Sequence, residues 1–187
     1  MTMSPPDGIS ASPVDPDNLL VWKALIRGPA DTPYDGAYIH IRVEFPQDYP
    51  FSPPKLRILT PIEHVNFKSG FVCLDILVSA PDMKLMWSPT FKLSHVLLSV
   101  SSLLADCNPD HPFRPDLAQL YKTNRIAYDA HVRAFTLKYS CDPKVPDTLL
   151  LPYSLDQLPG AAAIAADAAA TTAIALAAAA TTKNKTK

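Results

Sequence analysis

The amino-acid sequence predicts an α+β fold, an antiparallel meander of strands first and helices afterwards. A period-two alternation of apolar and polar residues runs from Ala37 to Phe45, and from His95 onward the period is helical. The 20 prolines among 187 residues are spread from Pro5 to Pro159 without a period. Prolines so spaced mark short elements joined by rigid turns, which excludes collagen and argues against a simple helical bundle. The length suits one domain with a core of its own.

Residues 1–18 are polar and proline-rich and read as an irregular lead-in. Acidic residues and prolines run through Met1 to Leu19, which is not the pattern of a signal peptide. Leu19 to Ile26 is apolar and β-leaning and stops at the turn Gly28-Pro29. In the next strand Ala37, Ile39, Ile41, Val43 and Phe45 form the buried side against Tyr38, His40, Arg42 and Glu44. Gln47 to Pro54 holds three prolines and must be a loop, and Lys55 to Thr60 is a further strand.

A long connection from Pro61 to Phe71 follows. The helical stripe Val96, Leu97, Val100, Leu103, Leu104 places a helix over 95–105 with Ser94 as N-cap. Pro115-Asp116 starts a second helix with Leu117, Leu120 and Tyr121 inward. A third fits residues 124–138, with Tyr128, Val132 and Phe135 on its buried face.

Composition narrows the function classes. Seventeen Lys/Arg against 18 Asp/Glu give a net charge of −1 without a long basic run in the body of the chain, so nucleic acid is not an expected partner. Cys73, Cys107 and Cys141 are odd in number and widely spaced. With neither C-x-x-C nor H-E-x-x-H, neither a zinc site nor a secreted disulfide framework is expected. The expected compartment is therefore intracellular. Residues 161–180 contain 14 alanines, but Asp167 and the Thr-Thr pairs at 171–172 and, just beyond, 181–182 dilute the stretch, so a low-complexity tail is expected here rather than a membrane anchor.

Cys73 stands out for chemistry. It follows the Pro61 to Phe71 connection, with His64, Asn66 and Gly70, and precedes Leu74-Asp75-Ile76-Leu77. A cysteine on an irregular segment between sheet and helix is either a reactive thiol or a small buried hydrophobe. A papain-like pairing with His64, His95, His111 or His131 lacks the local signature around the cysteine.

Several blocks in order resemble the ubiquitin-conjugating enzyme family. These are Gly28-Pro29 with Tyr34, Phe45-Pro46-Gln47-Asp48-Tyr49-Pro50-Phe51-Ser52-Pro53-Pro54, His64-Val65-Asn66, Cys73-Leu74-Asp75-Ile76-Leu77, Trp87-Ser88-Pro89, Val96 to Asp110, and Tyr121-Lys122-Thr123. The resemblance implies a four-stranded antiparallel meander followed by helices. Its core domain would span residues 5–141, with the first short strand inside the 1–18 lead-in and an Ala-rich tail over 142–187. It also implies that an activating enzyme passes ubiquitin, or a ubiquitin-like modifier, to Cys73 as a thioester. A lysine amine brought by a ubiquitin ligase then attacks the thioester. Neither metal nor cofactor takes part. The compartment would be the cytoplasm or nucleus.

The resemblance carries roles to individual residues. Cys73 is the nucleophile. Asn66 faces the developing oxyanion or fixes its own loop, two compatible roles. His64 orders that loop, and Asp75 positions the incoming lysine or serves as a solvated carboxylate. Pro50, Phe51, Ser88 and Pro89 form the loops that dock activating enzyme and ligase, though Phe51 also fits a core position. Ser10 falls where the rear of the sheet can hold a second ubiquitin. Cys107, Cys141, Trp22 and Trp87 are packing or surface residues.

The sequence also departs from the family pattern. Only Met1 to Ser4 precede Pro5-Pro6, where the family has an amphipathic helix. Val65 replaces a proline, and Asn66 lies seven positions before Cys73 where eight are common. Nine residues, 78–86, separate Leu77 from Trp87 where three are usual. His111 stands where an acidic residue often flanks the lysine's approach, and it is a possible lysine gate. The departures leave an alternative to the enzyme: a weak or inactive conjugating-enzyme-like scaffold that binds ubiquitin or ligases.

Overall fold

The structure is a computed structural model, and it describes residues 7–77 and 86–142. Four strands form one antiparallel sheet in sequence order: β1 (Ile9–Asp15), β2 (Asn18–Arg27), β3 (Tyr38–Glu44) and β4 (Lys55–Ile58). A two-stranded hairpin follows, β5 (Phe67–Lys68) and β6 (Phe71–Val72). A 3₁₀ turn covers Asp75–Leu77. Then come α1 (Leu93–Ala105), α2 (Pro115–Thr123) and α3 (Arg125–Tyr139). The expected α+β order holds.

The period-two pattern acts as predicted in β3, where Ile39, Ile41 and Val43 are buried. They join Ile26 of β2 and Leu56 and Ile58 of β4 in one core with Val96, Leu97, Val100 and Leu104 of α1. From α2 and α3 the same core receives Leu117, Leu120, Tyr128 and Val132. Each side chain of this kind contributes roughly 1.5–3 kcal/mol by leaving water. Gly28 is required at the β2–β3 connection, since a Cβ there would stand 1.7 Å from the Tyr34 carbonyl oxygen.

Several boundaries differ from the sequence reading. The lead-in is more regular than its prolines suggest, because β1 pairs with β2 from Ile9↔Ile26 to Asp15↔Asn18, with an irregularity between Pro13 and Asp15. A proline is tolerated on such an edge strand, whose outer side needs no ladder donor. The strand expected over Lys55 to Thr60 ends at Ile58. Beyond it, Leu59 N–H donates to the His40 carbonyl and Thr60 Oγ1 accepts from His40 N–H, so contact with β3 persists.

Ser94 is not the N-cap of α1, which begins two positions earlier, at Leu93, with Lys92 as cap residue. The His95 ring, three residues on, takes the Lys92 N–H at Nδ1 (3.1 Å), the reciprocal half of a capping box rather than the bond a cap serine would accept. Leu103, placed on the buried stripe, is half-buried. In α3 the Asn124 Oδ1 caps the Ala127 N–H, and the helix spans Arg125–Tyr139 rather than 124–138. The connection from Pro61 to Phe71 holds the β5–β6 hairpin, whose Ser69 and Gly70 both have positive φ (51° and 78°), as a two-residue type I′ turn requires.

Among the described residues no helix is long and apolar enough to cross a membrane. Residues 1–6, where the lead-in begins, the 78–85 part of the insertion and the Ala-rich tail beyond 142 lie outside the described residues.

Candidate active site

The site forms where two stretches of chain lie against each other. Residues 63–66 leave the sheet and residues 108–114 link α1 to α2. Val65, fully buried, accepts at its carbonyl from the N–H groups of Phe113 (2.9 Å) and Arg114 (3.0 Å). Asn66 is 1 % exposed. Its Nδ2 donates to the carbonyls of Asn108 (2.7 Å) and His111 (3.1 Å), and its Oδ1 accepts from Asn108 N–H (2.8 Å). In this state both amide hydrogens of Asn66 face backbone carbonyls, which is the loop-fixing arrangement.

His64 is completely buried and stacks on Phe67. Its Nδ1 accepts from Asn66 N–H (2.9 Å), so the ring proton sits on Nε2 and is donated to the Leu103 carbonyl (2.9 Å). Burial pulls its pKa down to about 4, against which the Leu103 hydrogen bond acts weakly. The histidine is therefore neutral at physiological pH and orders the loop, as expected from the sequence.

Sequence reasoning missed Glu63 and Arg114. Glu63 is 4 % exposed. The Arg114 guanidinium binds the Glu63 carboxylate with Nη1 (2.9 Å to Oε2, 3.0 Å to Oε1) and grips Asp116 in a fork, Nε to Oδ1 at 3.0 Å and Nη2 to Oδ2 at 2.7 Å. Arg114 holds the Asp116 carboxyl below the usual range despite partial burial. His131 Nε2 lies 3.7 Å from Glu63 Oε2. No local spacing signals such a pair, since its members are 51 positions apart.

Cys73 sits just beyond β6, half-exposed, and its N–H donates to the Asn66 carbonyl (2.9 Å). That single backbone bond links the thiol segment to the clamped loop, with the shortened spacing between the two residues in place. Partial burial, then the Asp75 carboxylate, push the Cys73 thiol above its ordinary pKa. The resting site therefore holds a thiol, not a thiolate. Asp75 is exposed at the start of the 3₁₀ turn. The His111 side chain is exposed, and its backbone carbonyl is one of the two that Asn66 holds.

Of the loop residues, Phe51 is 77 % exposed, which settles its position in favour of the surface. It follows a cis Tyr49-Pro50 peptide. Trp87 Nε1 donates to the Pro50 carbonyl (2.8 Å) and so joins the 50–51 loop to Ser88 and Pro89. Tyr49 packs between Phe45 and Trp87, with centroids at 4.6 and 6.2 Å. Trp22 packs edge-on against Phe45. Cys107 is buried and Cys141 half-buried. Ser10 is exposed on the outer face of β1. Among the described residues no cluster of His, Cys, Asp and Glu could hold a metal ion.

A family model described as ubiquitin-conjugating enzyme matches residues 1–136. The chain belongs to the ubiquitin-conjugating enzyme family. The sheet of four antiparallel strands followed by three helices agrees with that fold. Members of this family deal generally with ubiquitin, activating enzymes and ligases. As a ubiquitin-conjugating enzyme by family, the chain has Cys73 half-exposed just beyond β6 with its N–H on the Asn66 carbonyl, whereas Cys107 is buried just beyond α1 and Cys141 half-buried just beyond α3.

Proposed function

We propose that the protein accepts ubiquitin from an activating enzyme as a Cys73 thioester and passes it to a lysine of a substrate or ligase. The observation that carries this reading is a half-exposed cysteine joined by its own N–H to the Asn66 loop, in a chain of this family. The chemistry agrees with it. A thiolate is the nucleophile that a transthioesterification needs. A thiol of raised pKa is a strong nucleophile once deprotonated and a slow leaving group afterwards, which suits a carrier. Because the resting thiol is protonated, the proton is removed in the complex with the activating enzyme.

Asn66 would serve the oxyanion if one Nδ2 hydrogen turned from a carbonyl toward the thioester. Asp75 and His111, both exposed near the thiol segment, would border the lysine's path. Pro50, Phe51, Ser88 and Pro89 would dock the activating enzyme and ligases, with Phe51 as the apolar anchor. Ser10 would belong to a rear contact with a second ubiquitin. Neither metal nor cofactor enters these steps. The cytoplasm or nucleus is where this pathway would place the protein, and detergent fractionation with and without residues 160–187 tests for a membrane-anchored form.

The deciding experiment incubates the protein with activating enzyme, ATP and ubiquitin and resolves the products on a non-reducing gel. The expected result is a thiol-sensitive adduct that Cys73→Ser does not form. Absence of an adduct at every concentration of activating enzyme would leave the scaffold that binds ubiquitin or ligases without turnover.

A further inference from the structure

The outermost face of α3 is apolar. At helical spacing Ile126, Ala130, Ala134 and Leu137 share one side of the helix, opposite the buried Tyr128, Val132 and Phe135. All four are exposed. Ile126 is 83 % exposed, more than any other large apolar residue described, and Leu137 is 57 % exposed. A surface helix ordinarily turns charged and polar side chains to that side. In α3 those side chains are engaged elsewhere. Arg125 pairs with Asp129 at 2.8 Å, and Arg133 Nη1 donates to the Asp35 carbonyl, off the helix altogether. The large residues stand at the ends of the stripe and the alanines between them, so larger side chains can seat over Ala130 and Ala134.

The sequence just past this helix holds side chains of the matching kind. Residues 149–158, outside the described residues, contain five leucines and Tyr153, ahead of the alanine-rich stretch. Chain that stays solvated is poor in such residues, because they gain by leaving water. The reach is sufficient. The stripe from Ile126 to Leu137 is about 16 Å long at the rise of an α-helix. The chain from Asp142 to Leu149 can span about 23 Å when extended.

We propose that residues 149–158 fold back over the α3 stripe and extend the packed domain past Asp142. Leucines of the segment cover Ala130 and Ala134, flanked by Ile126 and Leu137. The chain's own segment is favoured over a second copy or another protein because it is tethered a few residues from the end of α3. A tether of this length holds its segment at an effective concentration on the order of mM, which a free partner does not match. The stripe lies on the last helix, and the proposal is independent of whether Cys73 accepts ubiquitin.

The test uses the full chain. Chymotryptic cleavage after Tyr153 reads how often the segment is uncovered, since proteolysis follows the population of the open form when opening is fast. Ile126→Asp combined with Leu137→Asp should speed that cleavage about tenfold. Leu19→Asp, at a residue 63 % exposed on β2, should leave it unchanged. The reverse direction keeps the test alive if the double substitution disturbs folding. The Ile126→Cys variant is alkylated with N-ethylmaleimide, and the modified peptide is followed apart from those of Cys73, Cys107 and Cys141. Adding Leu150→Asp and Leu155→Asp should speed that alkylation about tenfold. Cleavage and alkylation indifferent to these substitutions overturn the proposal. So does a parent protein that sediments as a dimer and becomes monomeric with Ile126→Asp and Leu137→Asp, because a second copy then covers the stripe. Flotation with phosphatidylcholine vesicles that the same pair abolishes overturns it as well.

Discussion

The clamped loop and the thiol segment are adjacent in space and opposite in character. In residues 63–66, Glu63, His64 and Asn66 each have side-chain partners on the 103–114 stretch, and all four residues are buried. Between Cys73 and Leu77 no residue is buried, and Cys73 is tied to the loop by one backbone bond. Rigidity is concentrated in the clamped loop, and the half-exposed Cys73, the proposed thioester residue, rests against it. For the proposed thioester chemistry, preorganisation of this kind would place strength around the nucleophile rather than on it.

The contrast can be broken from the rigid side first. Arg114→Met leaves the Glu63 carboxylate buried without its cation and should cost about 3–5 kcal/mol in urea unfolding. A loss under about 1 kcal/mol would mean that the clamp is not what stiffens the loop.

Acid attacks the same region through His64. The unfolded ring takes a proton near pH 6.5, whereas the folded ring resists until about 4. Stability is therefore fully present above pH 6.5 and is lost as pH falls from there toward 4, by roughly 3 kcal/mol if this group acts alone. His64→Gln should flatten that part of the pH dependence of the urea midpoint.

Asn66→Ala strands the Asn108 N–H and two carbonyls and should cost about 2 kcal/mol in thermal or urea unfolding. On the thiol side the energies are small. Cys73→Ser should change stability by no more than about 0.5 kcal/mol while abolishing the thiol-sensitive adduct. The smallest effect belongs to Asp75→Asn, which removes the second cause of the raised thiol pKa. Its iodoacetamide alkylation profile should move to lower pH than that of the parent, and an unmoved profile would leave burial as the whole cause.

Much of this was legible in the sequence. The alternation in β3, the stripe of α1 and the Pro115 start of α2 declare themselves because the pattern repeats within a few residues. Cys73 and Asn66 were singled out by their neighbours along the chain. The Glu63–Arg114 pair could not be, since it depends on tertiary contact between distant segments. The Lys92–His95 start of α1 was hidden because a histidine stands where a capping box usually has Glu or Gln, and the cap residue is a lysine. Phe51 fitted core and surface equally well, and only the fold decided.

The indole of Trp87 has one more consequence. Its hydrogen bond to the Pro50 carbonyl makes two surface loops, separated by more than 30 positions, into one mechanical unit. The conformational entropy of bringing them together is lost when the chain folds, not when a partner arrives. A protein that grips Phe51 thus finds Ser88 and Pro89 already in register, and the affinity gained at one loop is felt at the other.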